Sequence, residues 1–157
     1  LGGLPIIKDK SQAAALAAGL KGNYRAYLGA STTTAPARLA GASGWTRVDG
    51  RPMINQIGEF GTVTLPYPPS LDEKGNDLTS SGQVRVWTAT NANTTYYGQN
   101  CNAAGSAPDW TDTLSSHTTT GLLSATDSNV LVGGGVYPCS TAIHLYCFGI
   151  DRAATVP

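Results

Sequence analysis

The chain has 157 residues, enough for one domain with a core of its own. Ten Lys+Arg balance ten Asp+Glu, and only 13% of residues are charged, against roughly 25% in an average soluble domain. That neutrality leaves no electrostatic pull toward nucleic acid, heparin-like polymers or anionic lipid, and no window approaches the ~18 consecutive apolar residues of a membrane span.

With 19 Gly and 9 Pro, and Thr, Ser and Asn crowding the intervals between apolar runs, the composition points to an extracellular, β-rich or loop-rich protein. "LGGLPIIKDK" has no basic segment followed by an apolar one, so it does not read as a signal peptide. The expectation is a mature form or a domain of a longer protein, with residues 1–8 as an N-terminal extension or linker.

The first element is a helix over "KDKSQAAALAAGLKGN" (8–23). Asp9 or Ser11 is suited to its N-cap, the residues from Ala13 to Ala18 favour helix, and Gly19 or Gly22 supplies a left-handed stop. "YRAYLGAS" (24–31) alternates Tyr24, Ala26 and Leu28 against Arg25 and Tyr27, a strand pattern. "TAPARLAGASG" (34–44) suggests a short helix ended by glycine. "GWTRVDGRPMINQIGEF" (44–60) reads as a strand, a turn at Asp49-Gly50 and a second short element. The prolines of 65–82 predict an ordered loop with a turn at Gly75-Asn76.

"QVRVWTAT" (83–90) is a strand with Val84, Val86 and Thr88 opposite Arg85 and Trp87. From Asn91 to Asn129 almost no periodicity is visible, apart from a short helical signal near 110–115. The expectation is a long irregular loop, which in a compact domain carries function or is pinned covalently. "NVLVGGGVYPC" (129–139) and "AIHLYCFGI" (142–150) close the chain as two short strands, the second placing Ile143, Leu145 and Cys147 on one face.

Three cysteines, Cys101, Cys139 and Cys147, allow at most one bridge within the chain. "SQAAALAAGLKGNYRAYLGAS", "VRVWTATNANTTYYGQNCNA" and "CSTAIHLYCFGI" together resemble the endostatin-like domain, a branch of the C-type-lectin-like fold found at the C-terminus of certain collagens and in bacterial surface and secreted proteins. The likeness spans residues 9–150 or so and is closer to the bacterial branch. It implies an α+β fold: a twisted, mostly antiparallel sheet with one or two flanking helices and a long irregular loop region.

It also implies two disulfides, one pinning the loop to the last strand and one clamping the first helix to it. Cys101 and Cys139 match the loop bridge. Cys147 matches one end of the clamp, but Ser11 stands where its partner belongs, which leaves Cys147 as a free thiol on an apolar strand face, expected to be buried and inert. A Cys139–Cys147 bridge along one extended segment would exceed the ~7 Å Cα limit. The catalytic-thiol reading, which needs an exposed electropositive site, is set aside.

His117 and His144 lack the spacing of a zinc site and read as surface or structural residues, and the zinc-binding N-terminal histidines of some animal members of the family have no counterpart. Ser115, His117 and Asp112 lie too close together in one loop to form a rigid triad, and no nucleophile elbow is present. Asp109, Asp112 and Asp127 are weak calcium candidates of the right ligand type, without the tripeptides of calcium-dependent lectins. Tyr96, Tyr97 and Trp110, with Asn91 and Asn93, are the candidate binding residues, since exposed aromatics dominate hot spots and sugar stacking. Trp87 is assigned to the core, Trp110 has a second reading as an anchor of the loop, and Tyr96 and Tyr97 are the aromatics expected to be exposed. The resulting expectation is a non-catalytic adhesion or binding module, extracellular or on the cell surface, taking protein or glycan through its loop face, without cofactor and without nucleic-acid or membrane partners. A calcium-dependent lectin is the alternative, and a hydrolase a more distant one.

Overall fold

The computed structural model describes residues 3–102, 109–111 and 116–157. Helix α1 (Gly3–Ala17) starts well before the expected N-cap, so residues 3–8 are helical rather than a linker. Its end matches the sequence closely. Gly19 takes φ +74°, and Leu20 N–H and Gly19 N–H donate to the carbonyls of Ala15 and Leu16, the 6→1 and 5→2 bonds of a Schellman stop. Gln12 then ties the helix to the neighbouring strand by accepting from Tyr24 N–H at 2.8 Å.

Strand β1 (Tyr24–Ala26) pairs antiparallel with β8 (Cys147–Gly149). The short helix α2 (Ala35–Arg38) is capped by Thr34, and β2 (Trp45–Thr46) and β3 (Pro52–Ile54) form the expected hairpin around Asp49-Gly50. The remaining strands are β4 (Arg85–Trp87), β5 (His117–Leu122), β6 (Gly135–Pro138) and β7 (His144–Leu145). They build a four-stranded sheet in the order β6-β5-β4-β7, antiparallel except for the β4–β7 pair. The class is α+β, with few helices and mostly antiparallel strands.

Two expectations fail here. The stretch 91–129 is not one irregular loop, because it contains β5, at six residues the longest strand described. Its threonines disguise it. Thr118, Thr119 and Thr120 are buried, and their hydroxyls donate to the carbonyls of Gln99, Thr90 and Gly135, so polar side chains serve an interior strand. The stretch 129–139 is not one strand either. Asn129–Val132 is a single helical turn, α3, led in by Asp127, whose carboxylate accepts from Asn129 N–H.

Alternation along the strands feeds two cores. Tyr27, Val86, Tyr146 and Phe148 join Trp45, Phe60, Leu65 and Leu131 in the larger one. Phe60 is its hub, edge-on to Tyr27, Tyr146 and Phe148 at 5.0–5.2 Å between ring centroids. Ala26, Leu28 and Trp87 join Ala89, Trp110, Cys101 and Cys139 in the smaller one, with Ile143 and Leu145 packed against it.

Candidate functional site

The smaller core carries the loop face. After β4 the chain turns back on itself. Asn91 N–H donates to Thr95 carbonyl at 2.8 Å, Tyr97 N–H donates to Ala89 carbonyl at 3.0 Å, and Thr90 and Tyr96 form an isolated bridge. Asn91 and Asn93 build this turn. Asn91 Nδ2 donates to Thr95 Oγ1 and Tyr96 carbonyl, and Asn93 Oδ1 accepts from Thr95 N–H and Oγ1. Both asparagines fix the shape of the face, and only Asn93 is exposed. Tyr96 and Tyr97 are half-buried rather than freely exposed.

The Cys101–Cys139 disulfide is formed, with 5.6 Å between Cα atoms, and anchors the far end of this segment to the end of β6. The backbone around it is unusual. Ala89, Thr94, Cys101 and Trp110 have φ between 51° and 67°, and they are the non-glycine residues in the left-handed region among the described ones. Such residues cost on the order of 1–3 kcal/mol each.

Trp110 is not a surface residue. It is fully buried, edge-on to Trp87 at 6.3 Å, with Nε1–H donating to Gly29 carbonyl at 3.0 Å. Its left-handed backbone and the bond from its N–H to Asn100 carbonyl turn the indole inward, so it braces the loop from below. Gly29 is required beside it, since a Cβ there would lie 2.3 Å from Ala89 carbonyl and 3.3 Å from the Tyr96 ring. Trp87 is core, as expected.

The calcium candidates are dispersed in role. Asp109 is buried, and its Oδ2 accepts from both Ser31 N–H and Ser31 Oγ at 2.9 Å. Asp127 is exposed and occupied with Asn129. Asp112 and Ser115 lie outside the described residues. Among those described, no three His, Cys, Asp or Glu come together as a metal-holding group. His117 and His144 are exposed on β5 and β7.

Cys147 lies beside Ser11, as its match to the clamp position requires, with Sγ to Oγ 2.5 Å, but it is exposed, which overturns the expectation of a buried thiol. The reason is local. It stands in the wall of a cleft of about 710 Å³ between α1, β1, β2, β8 and the loop at 69–78. A concave wall admits solvent while surrounding the sulfur with protein. Desolvation there raises the thiol pKa above its ordinary value, a shift that the Ser11 hydrogen bond opposes and Glu73 reinforces.

A second hollow, about 420 Å³, opens on the loop face and is lined by residues 30–34, Ala37 and Tyr96. The only signal for it in the sequence is the hydroxyl run "STTT" at 31–34. No helix among the described residues is long and apolar enough to cross a membrane. No protein-family model matches this chain, and no curated protein matches it.

Proposed function

We propose that this chain is a non-catalytic binding module of the endostatin-like branch of the C-type-lectin-like fold, extracellular or on a cell surface. It recognises a protein or glycan partner through the loop face. Placement of Ser11 against Cys147, where the family's helix clamp would be, supports the fold assignment. The Cys101–Cys139 bridge supports an oxidising compartment.

One observation carries the functional reading. Tyr96 and Tyr97 sit partly exposed on a turn closed by Asn91 and Asn93 and tethered by the bridge. Half-buried aromatic rings on a fixed backbone lose little entropy on binding and are favoured hot-spot residues. Trp110 contributes by holding that backbone up. The test is a screen of glycans and extracellular-matrix proteins, followed by a Tyr96→Ala/Tyr97→Ala variant. Binding should weaken by about 1–3 kcal/mol while the fold is retained. A variant that stays folded and binds its partner unchanged would move the recognition surface elsewhere.

A further inference from the structure

The loop-face hollow has a distinctive chemistry. Its described lining includes no Lys, Arg, Asp or Glu, and besides two alanines and Tyr96 it consists of one serine and three threonines. What it presents is hydroxyls. Ser31 and Thr32 are exposed, and Thr33 and Thr34 are half-buried. Their commitments differ. Thr34 Oγ1 accepts from Ala37 N–H, and Thr33 Oγ1 reaches only Thr34 carbonyl at 3.5 Å. Among the described residues, the Thr32 side chain has no hydrogen-bond partner. Ser31 donates to Asp109 Oδ2. A hydroxyl that has given its proton to a carboxylate keeps its oxygen lone pairs and becomes a stronger acceptor for an incoming O–H.

Asp109 stands behind this ledge. It is 8% exposed, and among the described residues Oδ1 is buried without a donor while Oδ2 has two. An orphaned carboxylate oxygen is costly to bury and calls for a hydrogen-bond donor. Tyr96, on the other side of the hollow, feels the same group. Burial first, and the Asp109 charge second, raise the pKa of its phenol above its ordinary value.

We infer that this hollow is a subsite for a neutral, hydroxyl-rich ligand, a sugar residue, stacked on Tyr96 and hydrogen-bonded to Ser31 and Thr32 with Asp109 as the carboxylate that orients Ser31. The inference rests on the loop-face reading above and narrows its partner. The volume falls within the range of small-ligand pockets, roughly 300–1,000 Å³. A sulfated or acidic sugar would meet no cation in the described lining and would face the charge of Asp109. A peptide side chain would find neither an apolar slot nor a complementary charge there.

Saturation-transfer NMR on the whole chain tests this with neutral hexoses, N-acetylhexosamines and their short oligomers, against sulfated and sialylated counterparts. At least one neutral sugar should show transfer, in the presence of a calcium chelator as well as in its absence. Tyr96→Ala should abolish the signal, and the exposed Thr32→Val, which has no reason to unfold, should weaken binding on the order of tenfold. Asp109→Asn should weaken it too, and a melting curve separates that effect from lost stability. Binding of no neutral sugar, preference for anionic ones, dependence on calcium, or full affinity in both Tyr96→Ala and Thr32→Val would each overturn the assignment. A matrix protein that needs Tyr96 and Tyr97 while no sugar binds would refute this subsite and leave the loop-face reading standing.

Discussion

The two cores draw on alternate residues of the same strands, and they are held by different means. The larger one gathers Tyr27, Phe60, Tyr146 and Phe148 into a cluster of edge-to-face rings, closed by Trp45, Leu39, Leu65 and Leu131. It needs no covalent tie. The smaller one has two tryptophans, a disulfide and little aliphatic volume. Among the described residues, all four left-handed non-glycine positions fall around it. So do Thr90, Asn100 and Asp109, which with Tyr27 as the exception are the residues holding unpartnered buried polar atoms. Strain and unmet hydrogen bonds thus collect where the backbone is shaped for the loop face, and a bridge offsets them there. A region built for packing and a region built for presentation share one sheet.

Trp110→Ala strikes that division hardest. It removes a fully buried indole, its contact with Trp87 and its bond to Gly29, and should cost about 3–5 kcal/mol in urea unfolding of the oxidised protein. Phe60→Ala should cost a similar amount in the larger core. A cost below ~1 kcal/mol at Trp110, well outside that range, would mean that the loop face is not braced from below.

Removing the bridge comes next. Cys101→Ser/Cys139→Ser opens a cross-link between residues 38 apart, worth about 3–4 kcal/mol by chain entropy. The loss should be uneven. Amide exchange should quicken first at Tyr97 and Trp110, whose N–H hydrogen bonds belong to the loop side, and last at Tyr27, bonded to Tyr146. Uniform acceleration would show that the two cores open as one unit and that the contrast between them is only compositional.

The contrast was half legible in the sequence. Alternation in "YRAYL" and "VRVWT" announces strands, and the alanine run with Gly19 marks where α1 stops. What hid was the support of the loop. Threonine reads as loop by polarity, yet its β-branched side chain suits a strand, and in β5 each buried hydroxyl finds a carbonyl. Trp110 announces an aromatic in a polar loop, but whether it faces solvent depends on one left-handed residue that the sequence does not flag. Tyr96 and Tyr97 were legible as residue types, while the hollow beside Tyr96 required residues 30–34 and 96 to meet in space. The pairing of Cys101 with Cys139 came from the family resemblance, since spacing alone leaves the partner open.

The smallest expected effect sharpens the comparison from the other side, at the junction of α1 and β8, where the family resemblance implies a staple and Ser11 stands in place of its second cysteine. Ser11 Oγ and Cys147 Sγ are 2.5 Å apart across the junction of α1 and β8. Ser11→Cys should therefore oxidise with Cys147 and raise stability by about 2–4 kcal/mol, near the lower end if the larger core already fixes α1. Before that change the native thiol should react slowly with alkylating reagents at neutral pH despite its exposure, since its raised pKa leaves little thiolate below the ordinary value. Reactivity should climb with pH above it. Two measurements decide the matter: the loss of two hydrogen atoms from the mass of the Ser11→Cys protein on oxidation, and its melting midpoint under oxidising and reducing conditions. Failure to oxidise would break the match of Ser11 to the clamp position, and with it the strongest support for the endostatin-like assignment. Oxidation without a gain in stability would say instead that the ring cluster around Phe60 already holds the helix and strand together, so that only the strained loop side depends on a covalent tie.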